Sequence, residues 1–312
     1  MSPKFKTNSS VSLVFRWCSL LTLIYILGVL LLPYSQLSLH AYDISSVEYR
    51  LAVLLVNLPV IGVWFVAFWG YAKLKQYAFA IRKTKDGRHF EKLAYGSSWL
   101  AWSLPLTAVS SRIFSSIGDA NTSLHPAAVI VNNYISLILS LIAFLIISEA
   151  SKSLLGSRKL DLKPASVRTI MAIFIIGGVL YCFMTLRAFD SSSQMSTKNP
   201  YFLPAWLMIV SVIIPYLFTW FIGMLAVYEI TVYSRSVKGI LYKRALTYIT
   251  LGLTAILLSF IATQYLSNVW HTPHHLIFDS RLVIITLFRV VGGLGFISMA
   301  SGANRLKKIE EV

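Results

Sequence analysis

The tightest cluster of potentially reactive side chains is Trp270-His271-Thr272-Pro273-His274-His275, with Asp279 four residues further on. Imidazole nitrogens and carboxylate oxygens are the usual ligands of a zinc-like divalent cation. A metal-dependent enzyme built on His271, His274, His275 and Asp279 would also need an open coordination position and an acid or base nearby. Asp279, Asp119 and Asp43 are the candidates for that role. His271 and His275 would share a face of a helix, but Pro273 between them works against a regular one. Neither H-x-x-x-H on a clear helix nor H-E-x-x-H occurs. The competing reading is a polar loop whose rings cap helices or face water. His40 and His125 fall on the same side of the chain's apolar segments as this cluster, and His89 falls on the other. Every histidine lies near or beyond the end of an apolar run, which disfavours a buried haem.

The second chemical signal is charge within apolar sequence. Arg289 lies about eight residues into the last apolar run, roughly 12 Å along a helix. A guanidinium at that depth must reach water, find a partner or line a cavity. With Arg112 or Arg187 it would form a site for an anion or carboxylate, open on the side of the histidines. Alternatively it pairs with Asp279 or with helix-end carbonyls and fixes packing. Arg112 and Arg187 sit near the ends of their runs, where their long stems can snorkel to the interface. Asn132, Asn133, Gln264 and Asn268 add amides that can reach a neighbouring helix as readily as a ligand. The expected ligand-binding set is therefore Arg289, Arg112, Arg187, Asn132 and Gln264. Glu149 and Glu229 lie near the opposite ends of their runs, among many basic residues.

The elements that must carry these groups are helices in lipid. Of 312 residues, 56% are hydrophobic and only 13% charged, whereas a soluble domain has about 25% charged residues. Apolar runs of about 20 residues recur, the length at which a helix crosses the hydrocarbon and satisfies its own backbone. Spans are expected near residues 13–33, 48–72, 93–114, 129–149, 167–187, 202–228, 245–267 and 281–300. This predicts an all-α polytopic membrane protein with eight transmembrane helices. Trp99, Trp102 and Pro105 make the third span the least regular. The first has a basic flank like a signal peptide, but it is long and no small-x-small cleavage site follows, so it is expected to be retained.

Charge gives the direction. The net charge is +16, and most of the 28 lysines and arginines fall in alternate connections. One side collects Lys4, Lys6 and Arg16, the 73–92 stretch, the 152–168 stretch, Arg235 to Arg244, and the tail with Arg305, Lys307 and Lys308. By the positive-inside rule this side is cytoplasmic, with both termini there. Anionic lipids are the expected partners of that face. A nucleic-acid partner is excluded, because the basic residues form neither a soluble face nor a recognition module. Cys18 and Cys182 both fall within predicted helices, and they read as buried thiols rather than a disulfide framework.

The two halves of the chain resemble each other. Pairing each residue with the one 156 positions later needs no gap from Pro59 to Ser111. It matches Pro59 with Pro215, Trp64 with Trp220, Phe65 with Phe221, Tyr77 with Tyr233, and Arg88 with Arg244. It also matches Gly96 with Gly252, Ser103 with Ser259, Thr107 with Thr263, and Ser111 with Ser267. Two four-helix units, residues 1–156 and 157–312, are therefore expected. An even number of spans per unit makes them parallel, related by an axis along the membrane normal, as in some transporters. The matched prolines either bend their helices around a polar cavity or shape packing. Gly177, Gly178, Gly292, Gly293 and Gly295 mark close helix approaches. The helices flanking residues 73–92 are expected to project past the lipid and meet there.

No Walker A, dinucleotide fingerprint or esterase elbow occurs. Three function classes remain. The leading one is transport or binding of a small, anionic solute at an outward-facing polar cavity. The others are a membrane enzyme with a divalent metal on the outer face, and a sensor or assembly subunit without chemistry of its own.

Overall fold

The computed structural model describes residues 8–32, 46–84, 86–120, 125–156, 214–237, 239–268 and 280–310. They form seven helices: α1 (Asn8–Leu31), α2 (Ser46–Ala80), α3 (Gly87–Ala120), α4 (His125–Leu155), α5 (Ile214–Ser236), α6 (Ile240–Asn268) and α7 (Ser280–Glu310). No strand occurs among the described residues. All the helices except α3 contain a segment long and apolar enough to cross a membrane, six in all. The protein is thus a helical membrane protein. The expected span at 167–187 and the first part of that at 202–228 lie outside the described residues.

The third expected span is a continuous helix despite its mixed composition. Pro105 sits inside it, as Pro59 sits inside α2. Its polar character does not leave donors exposed to lipid. Ser97, Ser98 and Ser103 are buried, and their hydroxyls donate to the carbonyls of Leu93, Tyr95 and Leu100 at 2.9, 2.6 and 2.7 Å. Such back-bonding lets a short hydroxyl lie in an apolar interface.

Each helix from α2 to α7 packs on the next, and α7 returns to pack on α2, so the six close into a ring. α1 lies beside the ring against α2 and α3. Consecutive helices run antiparallel within α2–α3–α4 and within α5–α6–α7. The two contacts that join these trios, α4 with α5 and α7 with α2, are between parallel helices. For α2 and α7 the order is fixed by Val63 against Gly293 and Gly70 against Phe296.

Small residues set how near the helices come. A Cβ on Gly252 in α6 would strike the Gly295 carbonyl oxygen and stand 2.9 Å from the Met299 nitrogen in α7. A Cβ on Gly96 in α3 would stand 2.6 Å from Ile147 Cγ1 and 3.1 Å from the Ala143 oxygen in α4. In lipid, helices gain little from hiding apolar surface from one another, so backbone-close packing supplies much of their association.

The basic end of the bundle is tied together by side chains from both trios. α2 continues to Ala80 and α3 begins at Gly87, joined by a tight turn in which Thr84 Oγ1 donates to the Ile81 carbonyl at 2.8 Å. Tyr77, wholly buried, packs edge-on against Phe90, and its hydroxyl lies 2.7 Å from that of Tyr242 at the start of α6. Tyr233, near the end of α5, donates back to Asp86 Oδ2 in the α2–α3 turn at 3.3 Å. Lys92 of α3 and Glu149 of α4 form an ion pair at 2.6 Å.

Gly252→Ala should destabilise the protein by about 1–3 kcal/mol, because the clash is with backbone and cannot be relieved by rotating a side chain. Gly62→Ala, whose Cβ meets nothing within 4 Å, should be neutral or stabilising by up to about 1 kcal/mol. Thermal unfolding of both variants in detergent measures the contrast. Equal melting temperatures would show that the α6–α7 crossing does not limit stability.

Candidate functional site

Gly293 places Arg289. The two are four residues apart and share a face of α7. Gly293 touches Val63, and α2 runs parallel to α7. Arg289 therefore stands one turn earlier, at the level of Pro59 and Val60. Proline removes the backbone donor that would have served the Leu55 carbonyl, so α2 carries a broken hydrogen-bond ladder at this level. The guanidinium head of Arg289 is deep among protein atoms, while the residue as a whole is half-buried. Its electrostatic neighbour is Tyr25 of α1.

Tyr25 connects Arg289 to a second donor. Its ring packs edge-on against Trp64 of α2, with centroids 5.5 Å apart and planes at 79°. Trp64 is 1% exposed, and its indole Nε1 finds no acceptor among the described residues. Among the described residues Arg289 likewise has no carboxylate partner. Tyr25 of α1 thus touches the ring of Trp64 on α2 and lies within electrostatic reach of Arg289 on α7. A buried donor without an acceptor loses its hydration with no return. Asn57, about two turns from Trp64 on α2, donates its amide N–H to the Val53 carbonyl at 2.8 Å.

Arg112, expected beside Arg289, is held elsewhere. It is 7% exposed, and it donates from Nε to the Gly28 carbonyl at 3.1 Å and from Nη2 to the Leu32 carbonyl at 2.9 Å. Arg50 joins it, donating from Nη1 to the Val29 carbonyl at 3.1 Å and also to Leu30. Two guanidinium groups therefore cap the C-terminus of α1, where four carbonyls lack helical partners and the helix dipole is negative. The alternative considered for Arg289, helix-end carbonyls as partners, is what Arg112 and Arg50 have found.

Arg187, His271, His274, His275 and Asp279 lie outside the described residues. Asn132 falls in the first part of α4 and Gln264 near the end of α6, with both side chains outside the described set. Among the described residues, no group of three or more histidine, cysteine or acidic side chains converges as a metal site would require. Glu229 is buried between α5 and α4, 3% exposed, and accepts a hydrogen bond from Ser148 at 3.0 Å, with Lys152 close by in charge. Spacing alone did not single out Tyr25, Trp64 or Arg50. A tryptophan in mid-span with no polar residue within a turn was the available signal for Trp64. Nothing local marks Tyr25, which depends on α1 lying against α2.

The chain matches no family model, and no curated protein or solved structure is similar to it.

Arg112→Met retains the apolar stem and removes both donated bonds. Charged hydrogen bonds of this kind contribute about 1.5–3 kcal/mol each, so amides near the C-terminus of α1 should exchange with deuterium more than tenfold faster. Arg112→Lys should restore part of the protection. Unchanged exchange in Arg112→Met would mean that Arg50 alone suffices as the cap.

Proposed function

We propose that this protein binds a small anionic solute inside its helix bundle, for transport or recognition, with Arg289, Tyr25 and Trp64 as the binding groups. The observation that carries this reading is Tyr25, whose ring packs on Trp64 with its unpartnered Nε1 and whose charge field reaches the buried head of Arg289. A carboxylate or oxyanion accepts from a guanidinium and from an indole N–H at once. Burial in the membrane strengthens both interactions and would penalise an empty site. Pro59, at the same level of α2, provides a bend at which the wall of the site can move.

We further propose that the bundle comprises eight spans in two parallel units, residues 1–156 and 157–312, with both termini cytoplasmic. The tyrosine bonds at the basic end support this. Adding 156 to Tyr77 gives Tyr233, and adding it to Asp86 gives Tyr242. Tyr77 reaches Tyr242, and Tyr233 reaches Asp86. Each half thus offers the same position to the other, the reciprocal pattern of a twofold contact. The glycine crossings agree: Gly96 meets Ala143, and Gly252 meets Met299, which is Ala143 displaced by 156. Tyr25 and Trp64 correspond to Tyr181 and Trp220, while Arg289 corresponds to Asn133. Only one of the two equivalent places carries the cation, so the site binds charge on one side of the axis.

Small carboxylates and inorganic anions, screened by thermal stabilisation of the purified protein, test the reading. An anion present at about 100 times its Kd should add about 2.7 kcal/mol. Arg289→Gln should lose that stabilisation while remaining folded, Arg289→Lys should retain part of it, and Trp64→Phe should weaken it by about tenfold in Kd, the worth of one neutral donor. Stabilisation that survives in Arg289→Gln would remove Arg289 from the site. No stabilisation of the parent protein by any anion would overturn the reading.

A further inference from the structure

A groove of about 550 Å³ runs between α5 and α6 at the basic end, well away from Arg289. Its walls carry Thr231, Ser234, Thr247, Thr250 and Thr254, with Arg235 and Lys243 at its mouth. From Lys243 to Thr254 it descends eleven residues of α6, about 16 Å into the bundle's depth. Hydroxyls of that number in an apolar helix pair are unusual for a surface meant only to meet acyl chains.

The hydroxyl protons are already used. Thr231, Ser234, Thr247, Thr250 and Thr254 each donate to a carbonyl three or four residues back, at 2.6 to 3.1 Å. Their oxygens are left as acceptors toward the groove. Arg235 and Lys243 are exposed and offer only donors and positive charge. The complementary ligand carries an anionic group for the mouth and hydroxyl donors for the walls. The same outer face of α5 and α6 continues as Leu251, Leu258, Met224 and Tyr228, all more than half exposed. Basic residues at the cytoplasmic-type end of a bundle meet anionic headgroups, so the ligand belongs to the membrane.

We infer that the α5–α6 groove binds the headgroup of an anionic glycerophospholipid that bears hydroxyls, such as a phosphoglycerol lipid. The phosphate sits between Arg235 and Lys243, and the headgroup hydroxyls donate to Ser234 and Thr247. The register of 156 sharpens the contrast. The positions corresponding to Ser234, Arg235, Lys243, Thr247, Thr250 and Leu251 are Ala78, Phe79, Gly87, Glu91, Ala94 and Tyr95. Thr231 and Thr254 correspond to Lys75 and Ser98, so the α2–α3 face keeps one cation and one hydroxyl but has Phe79, Tyr95 and Glu91 where α5–α6 has Arg235, Leu251 and Thr247. This inference needs the protein to lie in a membrane but does not need Arg289 to bind anything.

The test is lipid retention by the full-length protein in nanodiscs containing phosphatidylglycerol and phosphatidylcholine, read by native mass spectrometry. The parent protein should retain phosphatidylglycerol preferentially. Arg235→Gln/Lys243→Gln should reduce the preference by about 30-fold, from about fivefold per basic group near the surface. Lys75→Gln, at the same end but outside the groove, should leave it unchanged. Thr247→Leu keeps both charges and narrows the groove, and it should abolish the preference for phosphatidylglycerol over phosphatidic acid, which has no headgroup hydroxyl. A preference that persists in both groove variants would overturn the inference. Displacement of the lipid by inorganic phosphate alone would overturn the lipid assignment and make the groove a site for a free anion.

Discussion

The backbone-close crossing of α6 on α7 sets the geometry on which the rest depends. Gly252 and Gly295 each bring a carbonyl oxygen into the space a Cβ would take on the other. A crossing that close fixes both the separation of the two helices and their register. Gly293 then meets Val63 and sets α7 against α2, and Gly70 admits the backbone at Phe296 a few residues further in. With α7 fixed on both α6 and α2, the ring has one way to close. Arg289 is placed by the same chain of contacts, one turn from Gly293 on a helix that cannot slide. A side chain in place of any of these hydrogens would not merely loosen the bundle. It would shift the level at which the cation stands relative to Pro59 and Trp64.

Because lipid offers no hydrogen bonds, the fate of each polar group can be followed separately. Most are absorbed locally. The serines of α3 and the threonines of α5 and α6 donate to their own helices. Arg112 and Arg50 spend their donors on the end of α1, and Glu229 is met by Ser148. What remains among the described residues includes the Arg289 head and the indole N–H groups of both Trp64 and its counterpart Trp220, with the hydroxyls of Thr107 and Ser151.

The helical membrane class was legible because it rests on composition and run length, which lipid constrains directly. The second, fourth and eighth expected spans correspond to α2, α4 and α7, although the helices extend beyond the lipid-length estimates at both ends. Hydropathy marks the apolar stretch and not where the helix stops. The third span read as irregular because tryptophan, serine and proline dilute its hydropathy. Its helix persists because the serine hydroxyls turn back on its own carbonyls and its neighbours cover that face. Arg289 was legible as a charge out of place. Its companions were not, since Tyr25 and Trp64 are ordinary residues for a span and acquire meaning only through the packing of α1 on α2. Arg112 shows the converse. Its sequence position suggested a binding cation, but the end of α1 comes within its reach and supplies carbonyls that no pattern in α3 foretells.

Under the proposed duplication, the positions at which the halves differ say more than those at which they agree. Tyrosines, tryptophans, prolines and crossing glycines keep their places, as positions that build a bundle must. The charges do not. Arg289 stands opposite Asn133, Glu229 opposite Lys73, and Arg235 opposite Phe79. Two identical units would put like charges at equal distances from a central axis, where they repel across a medium of low dielectric. Replacing one of each pair removes that repulsion and also breaks the equivalence of the two sides. The symmetric framework gives a fixed geometry, and the unmatched charges give that geometry a direction.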